Sequence, residues 1–484
     1  MNHIMTENHR IVHLDLKGAP PKVEYYEQIF PLFKKCGATG LLLEYEDMFP
    51  YRRELAELAH PFAYSKEGIA QILELAKNNG LIVIPLVQSF GHFEFVLKHV
   101  KFHSLREVPD YPMALCPSNP DSILAVTMMI DQVMELHPGI KWFHIGADEV
   151  YHIGICERCK KRMGTETLTT QQLFFAHIRA VLMHIKKNYP SVTPIMWDDM
   201  MRFVELPVLL ESGLRDLVEP MVWHYLTSFV LPPDWWDRLS KVFPNIWVAS
   251  AFKGATGSCV YTTNITYHID NHMAWLSVIE REKFKFKKVR GVTLTGWQRY
   301  DHYAVLCDLL PHAIPSLAVC LAVLNRGTFT ADIHMDVSRQ LQFHTTLPLN
   351  PFQCHEIPKC TFPGSSVYEG MFELLHLDVA CEDFLHSEGR LTWLNDYYVK
   401  RNFTNPIHLE TILAQALKIH GSLRQLQVKL QQSLSQIYYI NTVEEWLGIF
   451  LIPKVEKMAG IIDDVKNQLK LGGTASRVKY MQLS

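Results

Sequence analysis

Trp142-Phe-His-Ile-Gly-Ala-Asp-Glu149 is the stretch on which the reading of the chain turns. Its first four residues are a short apolar run; a Gly146-Ala147 step then delivers two adjacent carboxylates, Asp148 and Glu149. Buried parallel strands read as continuous apolar runs, and they present their chemistry at their C-terminal ends. Outward from this stretch the same pattern recurs. Strands are predicted over 11–16, 40–43, 82–87, 142–145, 193–196, 221–224, 246–249 and 291–295, their ends roughly 25 to 60 residues apart, the length of a β-loop-α-loop unit with insertions. Amphipathic stretches such as 65–79 and 170–188 lie between them. Eight such units in series predict an α/β fold, a (β/α)8 TIM barrel closing after a helix over 303–324, with a doubly wound open sheet as the second choice.

The composition suits that reading. The chain has 484 residues, 48% hydrophobic and 20% charged, the balance of a globular protein. Its formal charge of 47 − 50 = −3 lacks the basic excess of a polyanion binder, so no nucleic-acid partner is expected. No run approaches the ~18–20 apolar residues that span a bilayer, and no membrane partner is expected. The richest run, 314–324, starts with Ile314-Pro315 and reads as a buried helix. Residues 1–10 lack an apolar signal core, which points to a cytoplasmic address with nuclear entry open. The ten cysteines are then expected as thiols.

Three segments are expected: a catalytic barrel over 1–335, a partly irregular connecting segment over 336–404, and a helical region over 405–484. Residues 345–370 hold four of the 26 prolines and read as a long surface connection. Asn405 suits a cap and Pro406 the first helical position. Leu409, Ile412, Leu413, Ala416, Leu423, Leu426, Leu430 and Leu434 then form an apolar stripe beside a Gln-rich face. The stripe is expected to pack on the barrel wall or on a helix over 454–470, with a homodimer interface as the third choice.

The strand ends carry the candidate chemistry. They hold Asp15 and Lys17, Glu44 to Asp47, Gln88 and His92, His144, Asp148 and Glu149, Trp197 to Asp199, Trp223 to Tyr225, Lys253, and Trp297 with Gln298. Carboxylates supply acid–base chemistry without a metal, and flat aromatic faces bind the apolar face of a sugar, so a carbohydrate-active enzyme is expected. Strict alternation would aim Asp148 and Glu149 in opposite directions, so both enter one pocket only if the backbone kinks, which Gly146 permits. Two carboxyls at close range push one pKa upward, as a general acid near neutral pH requires.

His144-Ile-Gly-Ala-Asp148-Glu149 resembles the His-(Ile/Leu)-Gly-Gly-Asp-Glu signature of the family 20 glycoside hydrolases, the retaining β-N-acetylhexosaminidases. Leu43-Glu-Tyr-Glu-Asp-Met-Phe-Pro50, Gln88-Ser-Phe-Gly-His92, Gly296-Trp-Gln-Arg-Tyr-Asp-His-Tyr303 and Leu309-Leu-Pro-His-Ala-Ile-Pro-Ser316 resemble its intracellular branch. The resemblance spans roughly residues 10 to 325. It implies cofactor-free, substrate-assisted catalysis, in which the 2-acetamido oxygen of a terminal N-acetylhexosamine attacks C1 to give an oxazolinium. Glu149 would be the general acid and then base; Asp148 would stay ionised and hold the acetamido N–H. Trp297 would stack beneath the sugar, Trp197 and Trp223 would wall the acetamide methyl, and Asp198 would hydrogen-bond within the site. His92 would bind substrate or, equally, be a core histidine paired with Glu44 or Asp47.

The sequence also departs from the family. Lys17 stands where an Arg grips sugar hydroxyls, and Gln298 and Arg299 follow Trp297 where a Glu is common. The strand-seven Tyr-x-Asp is absent from 249–254, which leaves Tyr225 as the candidate for the acetamido carbonyl. Gluco versus galacto preference stays open. A catalytically silent sugar-binding or scaffold barrel is the alternative function. Cys156-Glu-Arg-Cys159 has zinc-ribbon spacing but no second Cys-x-x-Cys, and reads as two thiols. His144, Asp148 and His152 begin on a strand, so their i, i+4, i+8 spacing does not make a metal site, and no metal is expected.

Overall fold

The computed structural model describes residues 8–473. Among the described residues there are ten strands: β1 His9–Asp15, β2 Gly40–Glu44, β3 Ile82–Leu86, β4 Arg106–Val108, β5 Tyr111–Leu115, β6 Trp142–His144, β7 Thr193–Trp197, β8 Glu219–Trp223, β9 Asn245–Lys253 and β10 Lys288–Gly296. Eight close a parallel barrel in the order β1-β10-β9-β8-β7-β6-β3-β2, so the fold is a TIM barrel and the open sheet is excluded. Closure is made by β1, which pairs with β2 through Leu14 and Leu43 and with β10 through Ile11 and Thr293.

The apolar runs build this barrel because both of their faces are covered. Inward side chains of Ile11, Leu42, Ile84, Trp142, Ile195, Met221 and Trp247 form one buried cluster. Trp142 and Trp247 meet edge to face at 5.3 Å, a favoured aromatic geometry. Strands β9 and β10 each run to nine residues, longer than their apolar runs predict. For β10 the reason is visible at Arg290, whose guanidinium pairs with the buried Glu219 of β8 at 2.6 Å, so a charged residue sits on the strand. The helix expected over 303–324 begins instead at Leu310 and ends at Arg326, with most of its side chains buried. The residues before it stay irregular because Asp308 accepts from the Gly254 N–H at 2.8 Å and the Thr263 hydroxyl at 2.7 Å. Strands β4 and β5 form an antiparallel hairpin inside the β3-to-β6 connection, which the sequence reading did not anticipate.

The chain divides into two compact units, the division falling after Leu341. Helix Ala331–Gln340 therefore runs across the boundary read at 335. The second unit is built on helices Ser365–Leu385, Pro406–Ile437, Ile440–Phe450 and Ile452–Lys470. The first of these takes up much of the segment read as connection; irregular chain is confined mainly to 342–364 and the short stretches around 386–405. Asn405 caps the long helix through the Ile407 N–H, and Pro406 sits in its first turn. The stripe residues Leu409, Ile412, Ala416, Leu423, Leu426, Leu430 and Leu434 are buried, whereas Leu413 is half-buried. Their helix packs on Ile452–Lys470 and on Ser365–Leu385. Among the described residues no helix is long and apolar enough to cross a membrane. Residues 1–7 and 474–484, which the segments 1–335 and 405–484 take in, lie outside the described residues, as does most of the stretch 1–10.

Candidate active site

A cavity of about 440 Å3 opens where the barrel strands end, and Lys17, Glu44, Gln88, His92, Asp148, Glu149, Arg202, Trp223, Tyr225 and Trp297 line it. The kink expected after β6 is present and extends over several residues. Gly146, Ala147 and Glu149 have φ of +63°, +70° and +50°, a left-handed conformation costing roughly 1–2 kcal/mol per non-glycine residue. Such strain persists only where the surroundings hold it. Here they do. The Ala147 N–H donates to Gln88 Oε1 at 3.2 Å and the Glu149 N–H to Asp199 Oδ2 at 2.9 Å. A Cβ on Gly146 would lie 2.0 Å from Gln88 Oε1, and one on Gly91 would lie 2.2 Å from the Asp148 carbonyl. Both glycines are required by close approach, and both carboxylates reach the cavity.

His92 ties the pair together. Its Nε2 lies 3.1 Å from Glu149 Oε2 and 3.7 Å from Asp148 Oδ2. The open choice of a histidine paired with Glu44 or Asp47 is thereby decided against. Burial disfavours the imidazolium, but Asp148, the Glu149 hydrogen bond and Glu94 outweigh it and raise the His92 pKa to about 10. The hydrogen bond from His92, with another from the Tyr151 hydroxyl at 2.7 Å, holds Glu149 below the usual glutamate range against a smaller opposing effect of burial. Burial pushes Asp148 upward, aided by Glu44 and Glu149, although His92 opposes the shift and Gln88 Nε2 donates to Oδ1 at 3.2 Å. The pKa values are split as expected for neighbouring carboxyls, but in the reverse sense: Asp148 is raised and Glu149 lowered. The sequence reading missed this because the charged group that decides it, His92, lies 57 residues before Glu149.

The aromatic residues separate into wall and support. Trp297 lines the cavity with Lys17 Nζ 4.9 Å above its ring and His13 edge-on at 4.7 Å. Trp223 and Tyr225 line it as a stacked pair, centroids 5.2 Å apart. Burial raises the Tyr225 phenol above its ordinary range. Trp197 is fully buried and lies behind Trp297 at 6.1 Å, a support and not a wall. Asp198 is turned from the cavity as well. It holds Arg202 in a two-point pair at 2.7 and 2.9 Å and accepts the Trp235 indole N–H at 3.0 Å. Asp199, which starts a 3-10 turn after the strand, stands behind the cavity wall: it accepts the Trp223 indole N–H at 3.2 Å and the Glu149 N–H at 2.9 Å. Burial, then the charge of Asp148, raises the Asp199 pKa to about 7.

Lys17 reaches Asp15 at 2.9 Å and Glu44 at 3.8 Å; burial opposes its charge, but these carboxylates raise its pKa. Glu44 is buried, which alone would raise its pKa, yet Lys17 and the His13 hydrogen bond lower it to about 2. Gln298 and Arg299, by contrast, clamp backbone: Gln298 donates to the Ala19 carbonyl and Arg299 Nε to the Lys17 carbonyl at 3.0 Å. Glu44, Gln88, Arg202 and Tyr151 are additions to the expected site. Glu44 and Gln88 carried a signal, standing at strand ends; Arg202 and Tyr151 lie in loops whose course no local pattern gives.

The model of the glycosyl hydrolase family 20 catalytic domain matches residues 31–225. Over 463 residues the chain is 42% identical to hexosaminidase D of Homo sapiens, covering 94% of both chains. Over 337 residues it is 49% identical to hexosaminidase D of Bos taurus, covering 69% of this chain and 96% of that one. Among solved structures, the family 20 exo-β-N-acetylglucosaminidase of Vibrio harveyi in complex with N-acetylglucosamine aligns with a TM-score of 0.51 at 14% identity, covering 69% of this chain and 58% of that one. At that identity the likeness concerns the fold.

Proposed function

The chain belongs to the family 20 glycoside hydrolases and is a β-N-acetylhexosaminidase, and from that premise we propose that it removes terminal β-linked N-acetylgalactosamine or N-acetylglucosamine with retention, through an oxazolinium formed by the substrate's own acetamido group. The observation that carries the proposal is the Asp148–His92–Glu149 cluster. Both carboxyls come from one kink of the chain and lie within 3.7 Å of a single imidazole nitrogen. An enzymic nucleophile and an acid would instead flank the anomeric carbon from opposite sides, whereas these two carboxyls are neighbours on one segment and share one imidazole. Two carboxyls on one side suit a substrate that brings its own nucleophile.

Substrate groups would reverse the split of the two pKa values. The acetamido N–H is a donor and favours the carboxylate of Asp148; the glycosidic oxygen is an acceptor and favours the carboxylic acid of Glu149. The proton Glu149 needs is at hand on His92. Glu149 gives it to the leaving oxygen as the C1–O bond breaks, and the amide carbonyl oxygen bonds to C1. Asp148 balances the positive charge that spreads over the new ring. Glu149, now a carboxylate, takes a proton from water as that water bonds to C1 and the amide oxygen leaves. Two displacements at C1 restore the original configuration.

Trp297 is the proposed floor for the sugar, with Trp223 and Tyr225 around the acetamide; the Tyr225 hydroxyl is the proposed donor to its carbonyl. Lys17 and Glu44 together offer a donor and an acceptor to the ring hydroxyls. None of the ten cysteines is in a disulfide, which suits a reducing compartment, and the cytoplasm, with nuclear entry, is the proposed address. The test is incubation of the pure protein with nitrophenyl β-N-acetylglucosaminide and β-N-acetylgalactosaminide beside the plain glucoside and galactoside. Release from the acetamido sugars alone is expected. Equal release from the plain glycosides would overturn the neighbouring-group step.

A further inference from the structure

Four side chains unrelated to the sugar cavity converge beneath the loop that follows Glu149. Glu107 belongs to β4, Cys116 follows β5, Cys156 caps helix Glu157–Glu166, and Cys159 lies in its first turn. The Cys116 sulfur lies 3.4 Å from that of Cys156 and 3.6 Å from that of Cys159; Cys159 Sγ lies 3.2 Å from Glu107 Oε2. One donor atom from each of the four falls within 4.8 Å of every other. Glu107, Cys116 and Cys159 are almost wholly buried.

We propose that Glu107, Cys116, Cys156 and Cys159 hold one zinc ion in a closed, structural site. Tetrahedral coordination at a Zn–S distance of about 2.3 Å sets sulfurs about 3.8 Å apart and carboxylate oxygen slightly nearer. The Cys116–Cys156, Cys116–Cys159 and Cys159–Glu107 distances are already within a few tenths of an ångström of that spacing, and the other donor pairs lie within 4.8 Å. The donor set is the soft, thiolate-rich kind that selects zinc over harder divalent ions. The carboxylate is also held from behind. Glu107 Oε1 accepts the N–H groups of Ile155 and Cys156 at 2.6 and 2.9 Å, so Oε2 faces the sulfurs, the arrangement by which outer partners orient a metal ligand. A Cys-x-x-Cys pair alone lacked two ligands; the hairpin supplies them from about 40 residues upstream. Binding displaces the three thiol protons to solvent and changes no oxidation state.

Position gives the site its purpose. The hairpin also hydrogen-bonds the segment around His92, through the Phe93 N–H to Met113 at 3.0 Å and the Leu115 N–H to Phe90 at 3.3 Å. A bound ion would therefore cross-link the loop that carries His92 to the loop that carries Glu149.

The test uses the reduced full-length chain. Metal analysis after purification without chelator is expected to give about one zinc per chain. Replacement by Co2+ is expected to give thiolate-to-cobalt charge-transfer bands and the visible bands of a tetrahedral ion. Cys156→Ser and Cys159→Ser each lose the bound zinc, while Cys259→Ser, at an exposed cysteine outside the cluster, keeps it. Chelator lowers the Tm of the wild type and leaves that of Cys159→Ser unmoved. Should the serine variants not fold, the wild-type cobalt spectrum decides. Substoichiometric metal after zinc is added back, with no thiolate–cobalt band, overturns the proposal, and so does a mapped disulfide joining any two of the three cysteines.

Discussion

At Glu149 a left-handed backbone, an imidazolium and a tyrosine hydroxyl act on one carboxyl group. Glu149→Gln removes the transferable proton while keeping the shape. It is expected to lower turnover of glycosides with poor leaving groups about 10²–10⁴-fold, with a smaller effect on activated aryl glycosides, measured as kcat/KM on both. Asp148→Asn removes the proposed counter-charge to the proposed oxazolinium and is expected to cost on the order of 10²–10³ on all acetamido substrates. For His92 the sign of the pH effect follows from its pKa, raised to about 10 by Asp148 and Glu149 against burial. A group raised on folding stabilises fully below its unfolded value of about 6.5, and that stabilisation is lost as pH rises through the folded value. The Tm advantage of the wild type over His92→Gln should therefore shrink between pH 6.5 and about 10; a gap that widens over that range contradicts the pairing. The two carboxylates were legible in the sequence because a glycine step follows an apolar strand. Their charges were not, since His92, on another loop, sets them. Asp198 was misread for a related reason: its partners, Arg202 and the Trp235 indole, lie on later segments that no local pattern ties to it.

At the scale of elements, loop shape rests on glycines with no room for a side chain. Gly91→Ala would drive a methyl into the Asp148 carbonyl, and Gly146→Ala would meet Gln88 at positive φ as well. Overpacking of this kind costs roughly 1–3 kcal/mol, and both variants are expected to lose most activity because the carboxylates must move. Gly139 is the control: φ is +75° but a Cβ there meets nothing within 4 Å. Gly139→Ala should cost only the left-handed penalty of about 1–2 kcal/mol in Tm-derived stability and leave kcat unchanged. All eight barrel strands were legible as apolar runs, since strands covered on both faces need no alternation. The β4–β5 hairpin was not; its strands are short and half-exposed, β4 is only Arg-Glu-Val, and Pro112 interrupts the strand signal of β5. Strand ends that carry a buried ion pair, such as Arg290 with Glu219, escape a reading based on hydrophobicity.

At the scale of the molecule, every residue lining the cavity at the strand ends comes from the barrel unit. The second unit stands on its own packing of three long helices, with Leu426 fully buried in it. Leu426→Ala should destabilise that unit by about 2–5 kcal/mol and leave kcat on an aryl N-acetylhexosaminide unchanged while the protein is folded; a changed kcat would contradict the separation. The long capped helix was legible from Asn405, Pro406 and its leucine stripe. Ser365–Leu385 was not, because prolines just before it made the whole segment look irregular. The central claim is that the acetamido oxygen of the substrate, and no group of the protein, attacks C1. It is tested most directly by kcat/KM on aryl glycosides whose acetamide carries one, two and three fluorines. Each fluorine drains electrons from the carbonyl oxygen, so a steep successive fall is predicted; rates indifferent to fluorination would contradict the account.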